Sequence, residues 1–389
     1  MYIINGNIIT MENEDYDCGY VKIEDGKISD VGLMLKIDDI SSLGDDVIDA
    51  SGCVVMPGLI DAHTHLGIFG SGLGFEGEDG NEDTDPATPQ LRVIDAVNPM
   101  DRCFSEACSA GVTTAMISPG SSNPIGGQAS VFKLFGKCAD DMAVRSPAAI
   151  KFALGENPKM SYHDKEETPV TRMATAAIIR EQLYKAKEYL EAKKKAEKDE
   201  DAEKPDFDIK CESLIPLLEG RIDAHFHAHR ADDICTAIRI ANEFHIKCVL
   251  IHATEGHLIS DIIAKANIPV ITGPALGFRS KPELTNMSFE TPGRLALSGV
   301  TTAISTDHPE VSADMLFLCA AMAIKGGMPL KEALKAITIN PAKILGIDAN
   351  KGSLKAGKDA DIVILNGDPL DIKTTAKYVF VNGKIAYNK

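Results

Sequence analysis

The segment MPGLIDAHTHLG, residues 56–67, carries two of the chain's ten histidines, His63 and His65, one residue apart behind a Pro-Gly turn and a short apolar run. Successive side chains of a strand alternate faces. Both imidazoles therefore point the same way, about 6–7 Å apart, and could reach one ion. Such a pair alone is weak evidence, because it arises readily by chance. Other runs strengthen it. Lys151 lies inside AAIKFALGENP, where a bare ammonium must be paired, neutral or chemically altered. DAHFHAH offers His225, His227 and His229, all of one parity; His252 ends CVLIH, and Asp307 ends TTAISTD. Imidazole nitrogen and carboxylate oxygen are the donors that Zn²⁺ and similar ions take. Several strands ending in such side chains, with a buried lysine among them, point to a divalent-metal site rather than to core filling.

The elements that must position these groups have a regular order. YIINGNIIT, GYVKIEDGKISDVG and VIDASGCVV at the start are short β-branched runs broken by Asn-Gly and Asp-Gly turn signals. GSLKAGKDADIVILNGD and KYVFVNGKIAY near the end have the same character. Residues 1–57 and 345–389 are therefore expected to pair into one small, discontinuous β-sandwich. Between them, strand-like runs at 111–118, 148–154, 221–227, 246–252, 268–272 and 299–306 alternate with helical stretches, which implies a parallel sheet. The length suits an α/β (β/α)₈ barrel, a TIM barrel, over residues 58–344, with an open doubly wound sheet as the alternative. Seven strands are legible, and the eighth is assumed. Barrels of this kind keep their chemistry at the C-terminal strand ends, where the candidate ligands stand.

Residues 171 to about 204 form a charged helical insertion, with Ile179, Leu183, Ala186 and Leu190 on one stripe. Its charged end reads as a solvated helix tip, with a lid or a subunit contact as the functional alternative. The chain has 389 residues, 44% of them apolar, enough for a large core, and a net charge of −17 that argues against nucleic acid or an anionic membrane as partner. No apolar run reaches the roughly 18 residues of a membrane span. The opening lacks a basic n-region, and the nine cysteines are scattered and never in CxxC spacing. A cytoplasmic protein with reduced thiols is expected.

PGLIDAHTHLG, AGVTT, KFALGENPK, HAHRADDI, STDHP, TINPAKILGI and GSLKAGKDADIVIL together resemble the amidohydrolase superfamily, in particular its imidazolonepropionase-related and prolidase-like branch. The resemblance covers nearly the whole chain and does not specify the substrate. It implies that His63 and His65 bind the more buried metal, completed by Asp307, and that His227 and His252 hold a second. Lys151 sits where two-metal relatives carry a lysine carboxylated by CO₂, a carbamate that bridges the ions. Zinc is the expected metal, with two ions rather than one. Bound water then ionises near pH 7 instead of near 16, at order-of-magnitude level, and Asp307 passes its proton to the leaving nitrogen. The expected reaction is hydrolysis of a C–N bond in a cyclic amide, an imidazolone-like ring or a small peptide-like amide, by a homo-oligomer acting on a small molecule. A heterocyclic-amine deaminase and a non-catalytic protein of the same fold are the rivals.

Substrate contacts are expected from His229, just beyond the strand end, from Arg230, from Glu156 on the loop after Lys151, and from Gln128 or Asn123 in the second-strand loop. Each has a bland alternative: Arg230 pairs with Asp232 or Asp233, Glu156 caps a turn, and SPGSSNPIGGQ is a plain turn. The acid-rich segment GIFGSGLGFEGEDGNEDTDPATPQL either attracts a basic group or is simply solvated.

Overall fold

The N-terminal strands are β1 (Tyr2–Ile8), β2 (Tyr16–Glu24), β3 (Lys27–Leu33), β4 (Val47–Asp49) and β5 (Val54–Pro57). The turn between β2 and β3 uses Asp25 and Gly26, both at positive φ, as the Asp-Gly signal predicts. This computed structural model describes residues 1–37 and 46–389; residues 38–45, within the stretch assigned to the small domain, lie outside that description.

A single residue, Gly58, separates β5 from the first barrel strand. A Cβ there would lie 2.3 Å from the Thr113 side chain, so only glycine lets the chain pass so close. The barrel sheet then runs β6 (Leu59–Thr64), β7 (Val112–Ile117), β8 (Ile125–Lys133), β9 (Ala143–Ala153), β10 (Asp223–Ala228), β11 (Cys248–His252), β12 (Val270–Thr272) and β13 (Thr302–Ile304), each bonded to the next. Seven of these strands are the ones legible in the sequence. The eighth corrects the expected strict β-then-α rhythm: β8 is antiparallel to both β7 and β9 and forms a hairpin arm with β9. Its Gly126-Gly127 pair and the loop-like SPGSSNP before it hide the strand, because glycine weakens strand patterning.

Ile60, Met116, Val131, Ala149, Val249, Ile251, Ile271 and Ala303, drawn from β6 round to β13, form one interior cluster. Phe152, Phe226 and Leu250 point outward to the helices. The sheet is nearly closed, since β6 and β13 share no ladder. Asp61 bridges that seam: it accepts hydrogen bonds from Thr306 Oγ1 at 2.6 Å and from the Thr306 amide at 3.2 Å.

The helical insertion packs on the barrel. A helix spans Arg172–Ala196, capped by Thr171 accepting from the Ala174 amide, and buries Ile179, Leu183 and Ala186 in the same core as Phe152 and Phe226. Leu190 is only half buried. The lysine-rich end is tied to the next helix (Ile209–Leu218) and its C-terminus by Lys193–Glu212 and Lys194–Glu219 ion pairs.

The chain returns as β14 (Ile362–Leu365), β15 (Ala376–Val381) and β16 (Lys384–Asn388). The two β segments do pair with each other. They form a single hydrogen-bonded sheet of order β16-β15-β14-β5-β1-β2-β3, with β4 on β1, rather than two separately bonded layers. Ile3, Ile8, Val21, Ile362 and Phe380 share its core.

A buried charge cluster joins this sheet to the barrel. Lys133 of β8 lies 2.8 Å from Asp359 and 3.0 Å from Asp361; Lys351 lies 2.7 and 2.9 Å from the same two carboxylates. This is the work of the KDAD segment. Burial alone would raise Asp359, but hydrogen bonds from Lys133, Lys27 and Lys351 hold it far below its ordinary 3.8. A carboxyl depressed in the folded state stabilises fully above its unfolded pKa, near 4, and loses that contribution as pH falls below it. Asp359→Ala should therefore cost about 3 kcal/mol at pH 7, by leaving two buried lysines facing one carboxylate. Melting curves from pH 6 to 3 should show a shallower acid slope in the variant; equal slopes would exclude this role.

Candidate metal centre

The C-terminal strand ends bring the candidate ligands together. His63 is in β6 and His65 just after it, Lys151 is two residues from the end of β9, His227 is in β10, His252 ends β11, and Asp307 follows β13 by three residues. His63 Nε2 and His65 Nε2 each lie 3.3 Å from Asp307 Oδ1, which accepts no hydrogen bond. Lys151 Nζ lies 3.2 Å from His63 Nε2. Ring centroids of His63 and His252 are 5.4 Å apart, and those of His227 and His252 are 4.6 Å apart.

Two donor sets result: His63, His65 and Asp307 form one, and His227, His229 and His252 the other. Within each set the ligand atoms lie within 4.8 Å of one another. Second contacts orient the rings. His65 Nδ1 meets Ser118 O, His252 Nδ1 meets Gly273 O and His229 Nδ1 meets Thr254 Oγ1, each at 2.7 Å, so each Nε2 is left to face the cavity. The backbone is also specialised: His252 and Asp307 sit at φ +68 and +55, a region non-glycine residues rarely occupy and one that recurs at functional sites.

Burial sets the protonation states. Burial first, then Lys151, pushes His63 well below its ordinary value; burial and His252 do the same to His227 and His229, and His252 itself falls to about 4. Neutral imidazoles present lone pairs, as ligands must. Burial lowers Lys151 to about 8, and among the described residues no carboxylate lies within ion-pair distance of it. For Asp307 burial alone would raise the pKa, but the histidines around it, His252 foremost, hold it well below the usual range. An ionised carboxylate without a hydrogen bond, facing neutral imidazole nitrogens, fits a divalent cation.

The Amidohydrolase family profile matches residues 54–387. The chain belongs to the amidohydrolase family. It is 30% identical to amidohydrolase tasK of Hapsidospora irregularis over 92% of its own length, but spans only 39% of that protein. It is 24% identical to an imidazolonepropionase of Picrophilus torridus over 97% of this chain and 96% of that one. A solved amidohydrolase from Thermotoga maritima MSB8 superposes with a TM-score of 0.95 at 39% identity, over 100% of both chains.

His65, His227, His229, His252 and Asp307 wall one cavity of about 390 Å³ at the barrel mouth. His229, expected near substrate, is there as part of the three-histidine set. The structure does not bring the other expected substrate contacts to the wall. Arg230 forms an exposed two-pronged pair with Asp232; Gln128 donates to Pro89 O; and Asn123 is tied to Glu82 O, Thr88 and Tyr162. Glu156 begins the helix Glu156–His163, and its backbone amide donates to Glu283. His225 lies deeper, opposite Lys151 in the sheet register.

Several residues at the site escaped the sequence reading. Asp61 shares the parity of His63 and His65, a signal that was available; burial pushes its carboxyl up to about 7. Asn157, Lys281 and Glu283 gave none. Asn157 is the second residue of the helix Glu156–His163, Lys281 and Glu283 lie in the irregular segment after β12, and Lys281 Nζ reaches Asn157 Oδ1 and Glu283 Oε1, both at 2.8 Å.

Proposed function

We propose that this chain is a metal-dependent hydrolase of a C–N bond in a small cyclic amide, an imidazolone-like ring or a small peptide-like amide. The observation that carries the reading is the meeting of two imidazole-rich donor sets and Asp307 at one cavity. Membership of the amidohydrolase family and the likeness to an imidazolonepropionase support the bond type.

His63, His65 and Asp307 hold one ion, and His227 and His252 a second, with zinc the expected metal. Lys151 would join them as a carbamate: among the described residues its buried amine has no carboxylate within ion-pair distance and its pKa is lowered, and addition of the neutral amine to CO₂ with loss of a proton would replace the ammonium by an anionic ligand. Divalent ions held here supply Lewis-acid polarisation of a carbonyl and acidify water. Asp307 Oδ1, ionised and without a hydrogen bond, takes the proton of the attacking water and delivers it to the nitrogen as the C–N bond breaks. The wall residues exclude bulk water and limit the substrate to a small molecule.

Elemental analysis of chain purified without chelator should find close to two divalent ions, and less without bicarbonate. Metal-loaded enzyme should then hydrolyse some member of a panel of imidazolones, lactams, cyclic ureas and dipeptides. Fewer than half an equivalent of metal, with no gain on adding Zn²⁺ and bicarbonate, would overturn the reading. Turnover confined to aminated heterocycles would shift it to deamination.

A further inference from the structure

We infer that the seam between the terminal sheet and the barrel holds a second ligand site, which takes a small oligophosphate anion of the pyrophosphate kind. The site is a recess of about 710 Å³, within the size range of small-molecule pockets. It shares no wall residue with the cavity at the barrel mouth.

Five lysines converge on it. The helix Leu330–Lys335 supplies Lys331 and Lys335, the helix Ile339–Ile344 supplies Lys343, and the segment before β14 supplies Lys355 and Lys358. The last three belong to TINPAKILGI and GSLKAGKDAD, and the hydrolytic reading gives them no role. Only two acids, Glu12 and Asp348, line the same recess, which leaves its wall with a net charge of +3. The chain as a whole carries −17, so positive charge is gathered here against the general trend.

Protein carboxylates do not satisfy these ammoniums. Glu12 Oε2 stands 3.8 Å from Lys355 Nζ, and its Oε1 stands 3.9 Å from Lys358 Nζ, both beyond hydrogen-bond distance. Ser353 Oγ donates to that Oε1 at 2.6 Å. Lys335 pairs with Glu332 at 2.8 Å, whereas Lys331 and Lys343 have no carboxylate in ion-pair range among the described residues. Lys358 is built into the wall rather than draped over it. It is 7% exposed, and Nζ donates to Lys351 O at 3.0 Å, which leaves two of its three donors. A buried ammonium without a close counter-charge is costly. Burial lowers its pKa, and Lys355 and Lys343 push the same way against Glu12 and Asp348.

An anion in the recess would supply the missing counter-charge. Lysine is a point-charge partner for phosphate, and phosphate oxygens can be shared among several such groups. One phosphate group carries about −1.5 to −2 at pH 7 and covers only part of the wall's charge, whereas two linked groups match it.

The test is calorimetric titration of the full-length, metal-loaded chain with pyrophosphate and with orthophosphate. Pyrophosphate should bind at one site per chain, at least roughly tenfold tighter than orthophosphate, and more weakly as NaCl rises. Lys343→Gln and Lys355→Gln alter exposed side chains and should each weaken binding at least roughly tenfold. Lys281→Gln, at the barrel mouth, should leave it unchanged. Amine acetylation read by peptide mass spectrometry should show Lys343 and Lys355 protected by pyrophosphate, and Lys281 not. The assignment is overturned by no binding, by equal affinity for the two anions (an adventitious ion only), by wild-type affinity in both wall variants, or by protection confined to Lys281. None of these results touches the proposed function, which does not depend on this site.

Discussion

Asp307→Asn is expected to lower kcat about a thousandfold on any substrate the enzyme hydrolyses, within the usual range for loss of general acid–base catalysis. The carboxylate is held ionised, is free of hydrogen bonds at Oδ1 and lies 3.3 Å from two imidazole nitrogens. Asparagine keeps the shape and removes both the proton acceptor and the charge. It also tolerates φ near +55, so the backbone has no reason to rearrange. Melting temperature and far-UV circular dichroism should therefore stay close to those of the wild type while turnover collapses. Activity within tenfold of wild type would remove Asp307 from the proton path.

Lys151→Met should have an effect of comparable size by another route. Methionine is one atom shorter but is unbranched and apolar and nearly fills the fully buried slot, and it can neither carry CO₂ nor bridge two ions. The variant is expected to retain at most one ion per chain and to lose at least about a hundredfold in kcat, read by elemental analysis and turnover. Its stability separates this role from an ordinary buried ion pair. If Lys151 neutralised a carboxylate, the change would strand that charge and cost about 3–5 kcal/mol. Its polar neighbour is instead His63 Nε2 at 3.2 Å, so the metal-free variant should melt no lower than metal-free wild type. Two ions and full turnover in Lys151→Met would exclude the carbamate.

Much of this site was legible because its residues obey strand arithmetic. His63 and His65 share a parity, Lys151 interrupts an apolar run, and His252 and Asp307 close theirs. A parallel sheet carries all such ends to one rim. The seven parallel strands were readable for the same reason. β8 was not, since Gly126 and Gly127 erase its pattern. The KDADIVIL segment was recognised by resemblance, but its physical role, two carboxylates clamping Lys133 and Lys351 between sheet and barrel, needed the structure.

Sequence alone thus determined which residue types meet at the barrel mouth, because alternation and strand-end position are local properties of the chain. Only the tertiary structure decided what surrounds them: that Arg230 and Gln128 turn away, that Asp61 closes the seam through Thr306, and that Lys281 and Glu283 reach the histidines from the loop after β12. The contacts of Gln128, Asp61 and Glu283 join residues far apart in the chain, and local alternation does not record which distant group a side chain meets.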